Sequence, residues 1–347
     1  ARGTVSVKIV DKAGNTTARS EDYVVVIDTI APGLTYEWIF TDDQVREYNN
    51  IYYTKEDAKV KFIIEEANFD LSINTANGET VAPAPILAIN GVAQDIVWDQ
   101  VDGTDKWETE ITLSGNGDYE VELSYTDRSS NEMSTYTKKV HIDNVAPVFD
   151  VSYSNNDARN ENSYKADRVA TIKITEHNFK AEEVFLDVVA KDITGAAVDI
   201  SSKGYAEYAR NAANWTQNGD VWTLNTDGMR FDVDAIYNIS LKYADLSENA
   251  ATEYATEFVI DKTIANADNI TVEYSTPIVD KILETITFGF YKGDVQVKVT
   301  VKDQTAGVEY FELTYTQLDG KNNSNKSTYT TEKITAEQDK SDKSIFI

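Results

Sequence analysis

One pattern recurs three times at a domain-sized interval, and it constrains the fold more than any other feature of the chain. Each copy runs through alternating apolar residues to an Asp, reaches an Asn four positions later, and continues into a strand that ends in Ile-Asp. The copies are VSVKIVDKAGN, with Asp11 and Asn15 leading to Asp28; YEVELSYTDRSSN, with Asp127 and Asn131 leading to Asp143; and YNISLKYADLSEN, with Asp245 and Asn249 leading to Asp261. The leading Asp returns after 116 and then 118 residues. Solenoid repeats span about 20 to 50 residues, so this interval excludes them and matches a β-sandwich domain. Period-two alternation fills the regular parts of the chain, as in Val60, Phe62 and Ile64 or Val295, Val297, Val299 and Val301, and marks half-buried strands. Lys180 to Val189 and Lys203 to Asn211 make at most short turns of helix. The predicted class is all-β.

Other elements repeat inside the interval. The strings DTIAP (Asp28 to Pro32) and DNVAP (Asp143 to Pro147) are each followed by a strand, by Tyr53 or Tyr164, and by a strand ending in EANF (Glu66 to Phe69) or EHNF (Glu176 to Phe179). A tryptophan pair comes next, Trp98 with Trp107 and Trp215 with Trp222. The expected role of these pairs is cross-strand packing in a hairpin; stacking on a sugar ring is the competing role.

DKAGN (Asp11 to Asn15) followed by VVVIDTIAP (Val24 to Pro32) resembles the bacterial immunoglobulin-like domains strung in tandem along large surface and adhesin-type proteins. Later copies depart from that pattern: DRSSN and DLSEN lack the Gly, and DKTIA (Asp261 to Ala265) lacks the Pro. The resemblance implies Greek-key sandwiches in an elongated rod, found in adhesins, stalks and spacers of extracellular enzymes. The residues agree independently. In such sandwiches a Tyr near the start of strand F stands two residues before the position of a disulfide Cys in antibodies. Tyr119 before Val121 and Tyr237 before Ile239 fit, with aliphatic residues in place of the thiol; the chain has no Cys. Boundaries then fall at the Asp-x-x-Ala-Pro strings, because Pro cannot continue a ladder. Residues 1–31 supply strands F and G of one domain, 32–146 and 147–264 are complete domains, and 265–347 form a domain lacking its last strands. The ragged ends make the chain read as a fragment, and they admit head-to-tail strand complementation between chains.

With 32 Lys+Arg against 59 Asp+Glu, the net charge is −27, which repels phosphate and argues against nucleic-acid partners. No apolar run is long enough for membrane insertion. Two histidines, His141 in an alternating strand and His177 in a turn, supply no plausible Ser-His-Asp set or three-histidine metal site, so the chain is expected not to be an enzyme. The acidic loops suit a metal better. In an Ig-type sandwich the B-C and F-G loops lie at the pole where the domain begins. That placement predicts one oxygen cluster from Asp28, Glu66, Asn68, Asp127 and Asn131, and a second from Asp143, Glu176, Asn178, Asp245 and Asn249. Oxygen clusters of this kind suit Ca²⁺ at inter-domain junctions; the competing role of Asp and Asn is to bond their own backbone in turns. A Lys-Asn crosslink in place of disulfides would need a Lys, an Asn and a carboxylate on adjacent strands, which sequence alone does not place. The expected function is that of an adhesin or stalk on a bacterial cell surface or in secreted form, with a Gram-positive source expected and a host protein or glycan as partner. The alternative is a spacer or carbohydrate-binding module of a large extracellular enzyme.

Overall fold

The computed structural model describes residues 2–41, 45–69, 75–76, 79–80, 84–160, 162–264, 267–275, 296–319 and 325–347. Val295 of the last alternating run and Ala265 of the DKTIA string lie outside them. The chain divides into two compact units, Ala1–Val145 with Leu246–Asn249, and Ala146–Asp245 with Ala250–Ile347.

The first unit opens with an antiparallel hairpin of β1 (Arg2–Val10) and β2 (Thr16–Val26). A sandwich follows. One sheet places β3 (Gly33–Phe40) and β8 (Lys106–Leu113) on either side of β6 (Ala58–Glu65), all antiparallel. The other runs from β7 (Ile86–Ile89) through β9 (Gly117–Ser124) and β10 (Tyr136–Ile142) to β5 (Ile51–Thr54) and β4 (Arg46–Tyr48). β5 pairs with β10 in parallel, so the first strands of the domain are shared between the two sheets. β6 reads out its own burial: Ala58, Val60, Phe62 and Ile64 point inward with no exposure, and the alternate positions face out. These four pack with Leu87, Leu113, Val121, Leu123, Val140 and Ile142 as the core.

The second unit repeats the plan. β11 (Val148–Tyr153), β13 (Arg168–Thr175), β16 (Val221–Leu224) and β15 (Trp215–Asn218) form one sheet, with β17 (Arg230–Phe231) also on β13. The facing sheet orders β12 (Ser163–Tyr164), β19 (Tyr254–Ile260), β18 (Ala235–Lys242) and β14 (Phe185–Lys191), and β12 lies parallel to β19. A short helix, α1 (Tyr205–Arg210), is the only α-helix among the described residues. Its neighbour in sequence, Lys180 to Val189, holds one 3₁₀ turn and then enters β14. β20 (Ile270–Ser275), β21 (Gln296–Lys302) and β22 (Ile345–Phe346) form a further three-stranded sheet in this unit.

The tyrosine positions identify the topology. The Tyr119 hydroxyl donates to the Ser114 carbonyl at 2.6 Å, and the Tyr237 hydroxyl donates to the Val233 carbonyl at 3.0 Å. Each bond reaches back a few residues along the chain, as a tyrosine corner does. Val121 and Ile239, two residues on, are buried. Both sandwiches are immunoglobulin-like, and packing rather than a covalent staple joins their sheets. No helix of the described residues is long and apolar enough to cross a membrane.

Candidate metal centre

The first predicted cluster assembles within the first unit. Asp28 follows β2, Glu66 and Asn68 follow β6, and Asp127 and Asn131 frame the loop after β9. Carboxylate oxygens of Asp28, Glu66 and Asp127 lie within 4.8 Å of one another. Oxygens bound to one Ca²⁺ at about 2.4 Å are separated by no more than about 4.8 Å, so these separations meet the condition for sharing one ion. Glu66 is 5% exposed and Asp127 3%, while Asp28 is half-buried.

Hydrogen bonds aim these groups. The Asn68 backbone N–H donates to Glu66 Oε1 at 2.7 Å, and its amide Nδ2 donates to Asp28 Oδ2 at 2.7 Å. Asn131 Nδ2 donates to Asp127 Oδ2 at 2.7 Å and to the Asp28 carbonyl at 3.3 Å. Both asparagines therefore present nitrogen to the carboxylates and orient them, with the carboxylates themselves as the donor set for an ion. Among the described residues no Lys or Arg pairs with Asp28, Glu66 or Asp127. Burial pushes the Glu66 carboxyl above the ordinary glutamate range, and the charges of Asp28 and Asp127 push it the same way against the Asn68 N–H. Asp28 moves down, because the Ile30 N–H and then the Asn68 amide stabilise its charged form.

Turn chemistry accounts for part of this arrangement. Asp127 Oδ1 accepts the N–H groups of Ser129 and Asn131, both at 2.8 Å, and Asp11 Oδ1 accepts those of Ala13 and Asn15 at 2.9 and 2.8 Å. The Asp-to-Asn spacing is thus a loop staple in the first two copies. Asp11 is exposed; convergence with Glu66 and Asp28 is what distinguishes Asp127.

The second predicted cluster is divided between the units. In the first, Asp143 ends the segment after β10, its carboxylate accepts the Val145 N–H at 2.9 Å, and its carbonyl accepts from Asn249 Nδ2 at 2.8 Å. In the second, Glu176 and Asp245 are buried and place carboxylate oxygens within 4.8 Å of each other, while the Asn178 N–H donates to Glu176 Oε1 at 2.7 Å. A further carboxylate escaped sequence reasoning. Asp261, which ends the third Ile-Asp string, accepts the Ala306 N–H at 3.1 Å and lines a cleft of about 630 Å³ with Asp303. Burial first, and Asp303 next, raise its pKa. The Ile-Asp string it shares with Asp28 and Asp143 was the available signal.

Of the four tryptophans Trp98 and Trp215 are buried and Trp107 and Trp222 half-buried, and they are joined differently from the expected hairpin pairing. Gln100 opposes Trp107, and Gln217 opposes Trp222, so neither pair is a direct cross-strand contact. The link is the Phe of the E-x-N-F string. Phe69 stacks on Trp107 with centroids 4.7 Å apart and meets Trp98 edge-on at 5.8 Å; Phe179 lies 4.8 Å from both Trp222 and Trp215. Trp98 is 2% exposed and Trp215 7%.

No protein-family model matches the sequence, and a search of curated proteins finds no match. Similar solved structures include the fibronectin(III)-like modules of Clostridium thermocellum CbhA, at 11% identity over 66% of this chain and 94% of that one, with a TM-score of 0.25. The Ig1–Ig3 ectodomain of mouse nectin-like molecule 4 aligns at 11% identity over 66% of this chain and 63% of that one, with a TM-score of 0.27. Bacteroides ovatus SGBP-B, solved in complex with a mixed-linkage heptasaccharide, aligns at 14% identity over 75% and 54%, with a TM-score of 0.15. The fold assignment rests on the strand order and the tyrosine corners.

Proposed function

We propose that this chain is a non-catalytic part of a bacterial surface or secreted protein, an adhesin or stalk of tandem Ig-like domains, with Ca²⁺ held by Asp28, Glu66 and Asp127. The observation that carries the metal reading is the convergence of three carboxylates, two of them buried, without a basic partner among the described residues. Like charges this close repel, and a divalent cation offsets that repulsion while taking six to eight oxygen ligands in flexible geometry. All-oxygen donors select a hard ion over zinc. Burial of Trp98 and Trp215 supports a supporting role over sugar stacking by the tryptophan pairs.

Two experiments test the two parts. Millimolar Ca²⁺ should raise the unfolding temperature of chelator-treated protein, because the ion binds only the folded cluster; an unchanged temperature would remove the metal from the proposal. A binding screen against glycans and host proteins addresses the partner. Saturable glycan binding that survives substitution of Asp28, Glu66 and Asp127 would favour the carbohydrate-binding module instead.

A further inference from the structure

One stacked aromatic pair lies outside both buried cores. The strands Thr314–Asp319 and Asn325–Thr330 form an antiparallel hairpin that no third strand extends among the described residues. Tyr315 opposes Tyr329 across it, and Gln317 opposes Ser327 on the same face, because alternate residues of a strand share a side. The two rings stack with centroids 5.3 Å apart and planes 23° from parallel. Tyr315 is nevertheless 55% exposed and Tyr329 45%, so the exposure belongs to the outer ring faces and edges. Threonines fill the other side of the hairpin. The hydroxyls of Thr314 and Thr330 lie 3.1 Å apart and those of Thr316 and Thr328 3.3 Å, bonded to one another. Lys326 takes a register position on this threonine side. Tyr315, Gln317, Ser327 and Tyr329 therefore make an uncharged face, in a chain of which 26% of the residues are charged.

We propose that this face binds an uncharged polysaccharide, with Tyr315 and Tyr329 stacking on its sugar rings. Cross-strand packing occupies one face of each tyrosine and leaves the outer faces for a ligand. A phenol offers an apolar body and a polar tip, which suits a ring with an apolar face and a hydroxylated rim. Nucleobases also stack on aromatic side chains, but their phosphates are repelled by a chain of net charge −27. The same charge disfavours carboxylated or sulfated glycans. Area argues against a protein. Six residues rising about 3.4 Å each, on two strands about 4.8 Å apart, make a face of about 20 by 10 Å, or about 200 Å². A stable protein interface takes about 800 Å² from each partner, whereas a sugar chain laid along two rings needs no more than the face provides. Ser327 and the two phenols place hydroxyls along it for the rim of the sugar. The site goes beyond the adhesin or stalk reading, does not depend on the metal cluster, and would hold equally for a carbohydrate-binding module.

Affinity electrophoresis of the full chain tests the site, in native gels containing hydroxyethylcellulose, xyloglucan or galactomannan, with polygalacturonate as the charged control. At least one uncharged polymer should retard the protein, and polygalacturonate should not. Tyr315→Thr combined with Tyr329→Thr keeps strand-favouring residues in both strands and should abolish the retardation. Tyr315→Phe combined with Tyr329→Phe keeps the rings and should retain most of it, with circular dichroism confirming that each variant is folded. The unaltered chain supplies a second readout: the retarding polymer should shield Tyr315 and Tyr329 from nitration by tetranitromethane, followed by peptide mass. Migration unchanged by all three uncharged polymers would overturn the proposal and leave the adhesin reading with a host protein as partner. Retardation that survives the double threonine variant, or nitration of both tyrosines unchanged by the polymer, would overturn it as well and place glycan binding elsewhere on the chain. Retardation by polygalacturonate alone would also count against it.

Discussion

Glu66 is the residue at which the metal reading is most exposed to test. Its folded pKa is raised by burial and by Asp28 and Asp127, so in chelator its contribution to stability is fully present below the ordinary glutamate pKa and is lost as pH rises through the raised value. Calcium needs the ionised form and acts in the opposite sense. Thermal melts should therefore show a calcium increment that is absent in acid and grows towards neutral pH, reaching about 0.4 to 1.4 kcal/mol at about 1 mM ion for a site of extracellular type. Glu66→Gln removes one of three converging charges. It should leave the chelated protein at least as stable as wild type at neutral pH and abolish the calcium increment; a variant that still responds to calcium would locate the ion elsewhere. Asp28, whose pKa is lowered, contributes in the other direction, its stabilisation present above the unfolded pKa and lost as pH falls through the folded one.

Among the elements, the loops and corners at the strand ends carry specific interactions that the strands do not. Tyr119 ties the start of β9 to the preceding turn through bonds to the carbonyls of Ser114 and Gly115 at 2.6 and 3.0 Å. Tyr119→Phe should cost about 1 kcal/mol in denaturant unfolding, the usual net worth of a hydrogen bond. The matching Tyr237 is fully buried and its hydroxyl is pushed up to about 12 by burial. It should stay protonated in alkaline absorbance titrations that ionise exposed tyrosines, and the stability it confers should be fully present below the ordinary tyrosine pKa and lost as pH rises from there through the folded value. Phe69 joins the end of β6 to Trp98 and Trp107, so Phe69→Ala opens a cavity between two indoles. A loss of about 3 to 5 kcal/mol is expected from chemical denaturation, with red-shifted tryptophan emission.

At the scale of the whole molecule, the two buried cores share no residue. A large-to-small change in one core should therefore move one unfolding transition. In calorimetry, Phe62→Ala should lower the transition of the first sandwich and leave that of the second in place, with Phe231→Ala doing the reverse, each by about 3 to 5 kcal/mol. A single transition shifted equally by both would show that the cores unfold together.

The sequence by itself determined the strand class, the domain-sized interval, the tyrosine corners and the membership of the Asp28, Glu66 and Asp127 cluster. Each of these follows from local periodicity or from a residue's place in a repeated pattern, and a repeat assigns equivalent residues to equivalent positions without coordinates. What only the tertiary structure decided was which atoms meet across strands. Phe69 and Phe179 look like ordinary strand-end residues in sequence, and their insertion between paired tryptophans depends on register. The nitrogen-first orientation of Asn68 depends on a partner outside its own loop, Asp28. Asp303 reaches Asp261 only because strands far apart in sequence are brought into one unit. Tyr315 and Tyr329 belong to no recurring string; a pair made by the register of one hairpin leaves no period for sequence reasoning to detect.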